Sequence, residues 1–124
     1  MLQIFKRAMP FVFGFGLVLT TVLLLMPTYT IPQAFDFYDK VQHSLMFVTL
    51  TLAGLMASPN RLKAVCLGLC IYGGLMEVCQ SQLTTTRRGD LVDWLADSVG
   101  IVVGLVVYHF SQKIINYAIN KIAA

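Results

Sequence analysis

Charge is what this sequence has least of. Only 12% of its 124 residues are Asp, Glu, Lys or Arg, about half the share that a soluble domain carries. That scarcity argues against a soluble fold. The net charge of +3 is small, and no basic run carries interleaved aromatics, so nucleic acid is not an expected partner. The three cysteines, Cys66, Cys70 and Cys79, share one apolar stretch. No neighbouring His or Cys completes a zinc-like set, and they read as small apolar core residues. No HExxH, nucleophile elbow or other spacing of known chemistry occurs. No internal repeat or low-complexity tract is visible. What is abundant is apolar: 57% of the residues, with a mean hydropathy of +0.75. The chain therefore reads as an all-α membrane protein, and its length suits one domain over 1–124.

Four spans are expected. Ala8 to Phe35 has no charged residue, and its apolar core is long enough to cross a bilayer as a helix over about 9–27. Lys6 and Arg7 precede it as in a signal peptide, but no small-x-small cleavage site follows. An uncleaved first helix is expected, ended by Pro27 and Pro32. Residues 28–38 form a loop with prolines and interfacial aromatics. A second helix over about 40–57 stops at Ser58-Pro59-Asn60, a turn signal. The third runs over about 62–82 and the fourth over about 90–110. The tail, 111–124, places Ile114, Ile115, Ala118, Ile119 and Ile122 on one side and Lys113, Asn116, Asn120 and Lys121 on the other. It is read as an amphipathic helix that continues the fourth or lies on the membrane surface.

With both termini in the cytoplasm, the inner side holds Lys6, Arg7, Arg61, Lys63, Lys113 and Lys121, six of the nine Lys and Arg. The positive-inside rule favours that orientation in a cytoplasmic membrane. All six acids then fall toward the outer side: Asp36, Asp39, Glu77, Asp90, Asp93 and Asp97. Topology brings them together there with Lys40, His43, Gln80, Arg87 and Arg88.

Three motifs carry the candidate site. Asp39 and His43 are four residues apart and share a helix face, so the carboxylate could orient the imidazole. The plainer reading of Asp39 is a helix N-cap. Glu77 and Gln80 lie in the last turns of the third helix. Glu77 is too short to snorkel and must pair, protonate or line a wet cavity. A salt bridge to Arg87 or Lys40 is its structural alternative. Asp90, Asp93 and Asp97 share a face of the fourth helix, with Asp90 placed to cap it. Ala96, Gly100 and Gly104 mark that face as one that packs on another helix, within one chain or between two. Arg87 and Arg88, just before the helix, offer phosphate or carboxylate a docking place, or serve as interfacial anchors.

Taken in order, Asp39-Lys40-x-x-His43, Glu77-x-x-Gln80 and Arg87-x-x-Asp90-x-x-Asp93-x-x-Ala96-x-x-x-Gly100 resemble the VanZ-like family of small bacterial membrane proteins. The likeness runs from about Asp39 to Gly104, over half the chain. It implies a cell-envelope setting and, through the family's namesake, a link to resistance against teicoplanin-type glycopeptide antibiotics. It supplies no catalytic residue. Asp97 departs from the pattern, which commonly has Asn at that position.

Two functions compete most directly. One is a polar outer-leaflet site made of Asp39, Lys40, His43, Glu77, Gln80, Arg87, Asp90, Asp93 and Asp97. It would bind an anionic lipid head group or lipid-linked envelope precursor through Arg87, Arg88 and Lys40. The other is a membrane enzyme on a lipid-linked substrate, with His43 and Asp39 as general base and Glu77 as general acid. A variant places a divalent metal, Mg²⁺ or Mn²⁺, on Asp93, Asp97 and Glu77. A proton-coupled carrier and a scaffold held together by its polar residues are further alternatives. The anion-binding reading is favoured.

Overall fold

The structure is a computed structural model, and it describes residues 2–27, 37–86 and 88–123. Those residues form four α-helices: α1 (Leu2–Leu25), α2 (Phe37–Ala57), α3 (Leu62–Leu83) and α4 (Leu91–Ala123). Residues 28–36 of the loop expected over 28–38 lie outside the described residues, as does Arg87, whereas Phe37 and Tyr38 open α2 and are not loop.

The largest departures from the expected bounds are in α1 and α4, while α2 starts three residues early. α1 starts at Leu2 rather than near residue 9 and takes in Lys6, Arg7 and Pro10. Apolar length marks the part that fits a bilayer, whereas Lys and Arg are themselves good helix formers. α4 runs 33 residues without a break, which is about 50 Å of helix against a hydrocarbon core of about 30 Å. The tail continues the fourth helix, and residues 111–123 are exposed along every side.

α1, α3 and α4 are long and apolar enough to cross a membrane. The first turns of α2 carry Asp39, Lys40, Gln42 and His43, which lower its hydropathy. α2 packs against each of the other three helices, most extensively against α4. A helix surrounded by protein can be more polar than one that meets lipid. Its centre is the core: Phe47 and Leu50 of α2 meet Leu69 of α3 and Ile101 of α4. Phe13, Leu17, Cys66, Cys70 and Tyr72 pack around them, so two of the cysteines serve as core residues.

The protein is apolar outside and mixed inside. Phe11, Phe15, Val18, Leu67, Leu75, Val99 and Val102 are exposed. The buried set includes Thr20, His43, Thr51, Glu77, Gln80, Asp93 and Asp97. Burial of apolar area therefore does little to hold these helices together in lipid, and close packing with interhelical hydrogen bonds must do more. Glycines give the close packing. A Cβ on Gly100 would lie on the Ser44 carbonyl oxygen of α2, and one on Gly104 would stand 2.8 Å from Thr51 Cβ. The small-residue face of α4 is thus filled within the chain, by α2.

The α2–α3 turn forms where expected: the Ser58 N–H donates to the Gly54 carbonyl and the Arg61 N–H to the Ser58 carbonyl. α3 ends when the Thr84 N–H and hydroxyl both donate to the Gln80 carbonyl.

Candidate functional site

The start of α2, the end of α3 and the start of α4 meet at one end of the bundle, and side-chain bonds across the helices fix that meeting. His43 is the centre. It faces inward from the second turn of α2 and is 1% exposed. Its Nδ1 lies 2.9 Å from Asp97 Oδ1 of α4, within hydrogen-bond distance. Nδ1 also stands 3.9 Å from Glu77 Oε1 of α3. On the far side of the ring, Nε2 stands 3.9 Å from Asp39 Oδ2. The imidazole thus faces three carboxylates from three helices.

The partnership expected from spacing alone, Asp39 with His43, is therefore secondary. Residues four apart on one helix share a face, but the ring reaches across to α4, where the glycine contact brings the backbones close. Nor does Asp39 cap α2. The helix begins at Phe37, which places Asp39 inside the first turn, still at the end where a negative charge is favourable.

Lys40 donates to Asp93 Oδ1 of α4, and its Nζ stands 4.0 Å from Asp39 Oδ2. Asp93 is 4% exposed, so this ammonium is its counter-charge. Engaged in this way, Lys40 does not present a free cation to an outside anion. Glu77 is not paired with Lys40 either. Its Oε2 accepts the Asp90 N–H at 2.8 Å, which joins the end of α3 to the entry of α4. Asp90 in turn caps α4: its Oδ1 accepts the Val92 N–H at 3.2 Å, and its carbonyl accepts from Asp93. That capping role agrees with expectation.

Gln80 stands apart from the carboxylates. Its Nε2 donates to the Leu24 carbonyl at the end of α1, 2.8 Å away, and the residue is 2% exposed. It satisfies a helix-end carbonyl that has no partner in its own helix. The arrangement therefore gathers Asp39, Lys40, His43, Glu77, Asp90, Asp93 and Asp97 and gives Gln80 a structural task. Arg87 lies outside the described residues, and Arg88 is exposed.

Among the described residues, two oxygens in the cluster are buried without a hydrogen-bond partner, Glu77 Oε1 and Asp97 Oδ2. Asp97 Oδ2 points toward α3, where a Cβ on Gly73 would stand 3.0 Å from it. An unpaired carboxylate oxygen in such a place is costly.

Sequence reasoning missed the groove beside this cluster. A space of about 300 Å³ lies between the end of α3 and the start of α4, lined by Gly74, Glu77, Ser81, Gly89, Asp90 and Trp94 among others. Trp94 Nε1 donates to the Cys70 carbonyl at 2.9 Å and lies against Gly74. Gly89 permits the tight crossing, since a Cβ there would collide with the Glu77 carbonyl oxygen and Ser81 Oγ. The lone Trp was the available signal. A comparably large cleft, lined by Leu105, Val106, His109, Phe110 and others, carries no carboxylate. Compared with models of protein families, with curated proteins and with solved structures, the chain has no match.

Proposed function

We propose that the chain is a multi-pass protein of the cytoplasmic membrane, of the VanZ-like kind. All four helices cross the membrane, both termini face the cytoplasm and the charged cluster sits in the outer leaflet. There it binds the phosphate-bearing head group of an anionic lipid or lipid-linked envelope precursor, and through that ligand it influences glycopeptide sensitivity. The observation that carries this reading is the groove between α3 and α4. It is walled by Trp94, Ser81 and Gly89 among others. Exposed Arg88 adjoins Gly89 in the chain.

Chemistry supports the phosphate. Glu77 Oε2 and Asp90 Oδ1, the acids of this wall, each accept a backbone N–H, which softens their repulsion of an anion. The amino end of α4 favours negative charge. Trp94 has an apolar ring suited to the membrane interface. With Lys40 engaged by Asp93, binding falls to Arg88 and, by its place in the sequence, Arg87. The test is mass-spectrometric quantification of the lipids that co-purify with the protein. Arg87→Ala/Arg88→Ala should lower phosphate-bearing lipid at least tenfold, and unchanged lipid would refute the reading.

One observation favours a second reading. The His43–Asp97 hydrogen bond beside Glu77 resembles a base with its orienting carboxylate and an acid nearby. His43 is sealed from solvent at 1% exposure, however, so a substrate reaches it only if the helices part. Turnover of a lipid-linked substrate by purified protein, lost in His43→Ala, would promote this reading above the first.

A further inference from the structure

Among the described residues, the His43–Glu77–Asp97 cluster has two carboxylates and no lysine or arginine paired with them. The neighbouring Asp93 differs, because Lys40 is bound to it. Asp97 is 0% exposed and Glu77 8%, and among the described residues each retains one buried oxygen without a hydrogen-bond partner. Two carboxylates in an apolar bundle are held neutral by a proton or by a cation, and this pair lies beside an imidazole that can share a cation with them.

We propose that His43, Glu77 and Asp97 form a binding site for one divalent transition-metal ion, Zn²⁺ or Mn²⁺. One ligand atom from each of the three residues lies within 4.8 Å of the others. Two ligands at about 2.1 Å from a metal stand roughly 3.0–3.4 Å apart. The separations from His43 Nδ1, 2.9 Å to Asp97 Oδ1 and 3.9 Å to Glu77 Oε1, lie on either side of that spacing. Small side-chain rotations suffice to close them on an ion.

The donor set fits the metal. Imidazole suits Zn²⁺ and its neighbours, while carboxylates extend the range toward Mn²⁺. An all-oxygen set would favour Mg²⁺ or Ca²⁺ instead. A dication with two carboxylates makes a neutral unit, which the apolar interior accepts far better than two bare anions. The second nitrogen of a metal-bound histidine is commonly held by a carboxylate, and Asp39 Oδ2 stands 3.9 Å from Nε2. Glu77 also lines the α3–α4 groove, which gives the ion a way in. Asp39, His43 and Asp93 form a second close group, but the Lys40 ammonium already supplies its cation. The expected trio of Asp93, Asp97 and Glu77 is thus replaced by one in which His43 takes the place of Asp93.

The site stands independently of the lipid reading, and the test separates them. Full-length protein in detergent, without a polyhistidine tag, is stripped with EDTA and titrated with Zn²⁺ alone and with Mn²⁺ alone. Wild type should bind one equivalent of at least one of these ions and unfold at a higher temperature with it. Asp97→Asn and Glu77→Gln should each weaken binding at least about 100-fold, beyond the range usual for loss of an outer-shell partner. His109→Ala, replacement of all three cysteines by serine, and Arg87→Ala/Arg88→Ala should each leave the equivalent intact. Failure of wild type to bind one equivalent of either ion overturns the proposal, whatever the variants do. So does an equivalent that survives both carboxamide substitutions or vanishes with the cysteines.

Discussion

Replacing Gly100 by alanine adds one methyl group at the closest approach of α2 and α4. The new Cβ would fall on the Ser44 carbonyl oxygen, with Phe47 Cβ at 2.9 Å and the Ser44 carbonyl carbon at 3.0 Å. Two of these atoms are backbone, so no flexible side chain can swing aside and the helices must separate. Overpacking of this kind costs about 1–3 kcal/mol, and backbone obstruction argues for the upper end. Alanine returns up to about 1 kcal/mol in helix propensity, leaving a net loss of about 2 kcal/mol. Gly68→Ala is the matched control, since nothing lies within 4 Å of a Cβ there. It should be neutral or stabilising by up to about 1 kcal/mol. Equilibrium unfolding in mixed detergent micelles should separate the two variants by about 3 kcal/mol, the sum of those effects. Equal stability would refute the close α2–α4 packing that places Asp97 beside His43.

Two further substitutions test the polar ties. Gln80→Leu should cost about 1–3 kcal/mol by orphaning the buried Leu24 carbonyl; an unchanged unfolding midpoint would remove Gln80 from the α1–α3 contact. Lys40→Met leaves Asp93 buried without its cation and should destabilise by about 3 kcal/mol. Adding Asp93→Asn should restore part of that loss, and a double variant less stable than Lys40→Met would contradict the pairing.

What sequence could show here follows from what spacing encodes. Three runs of apolar residues and one turn signal were enough to place four helices. The placement of Asp39, His43, Glu77, Asp93 and Asp97 at one end follows from antiparallel threading alone. Partner choice within that end does not. Asp39 and His43 sit four apart on one helix, yet the ring's near contact is Asp97, because the crossing of α2 and α4 at Gly100 is a three-dimensional fact. Gln80 likewise looked like a member of the charged site beside Glu77. A turn of helix carries it to Leu24, whose role as acceptor depends on where α1 ends. The start of α1 was misplaced because hydropathy measures fit to lipid, whereas Lys6 and Arg7 continue a helix readily. The bond from the Trp94 indole N–H to the Cys70 carbonyl is likewise set by packing and not by spacing.

The convergence of α2 and α4 on a buried charged centre is tested most directly by a double-mutant cycle between His43 and Asp97. Unfolding is measured for wild type, His43→Leu, Asp97→Leu and the double variant under identical conditions. Breaking a buried pair by removing one partner costs about 3–5 kcal/mol, much of it from the polar group left behind. Each single variant should therefore lose about that much, and the double variant should lose little more than either alone, a coupling of several kcal/mol. Losses that simply add would mean that the two side chains do not meet, and the site built around His43 would fall with them.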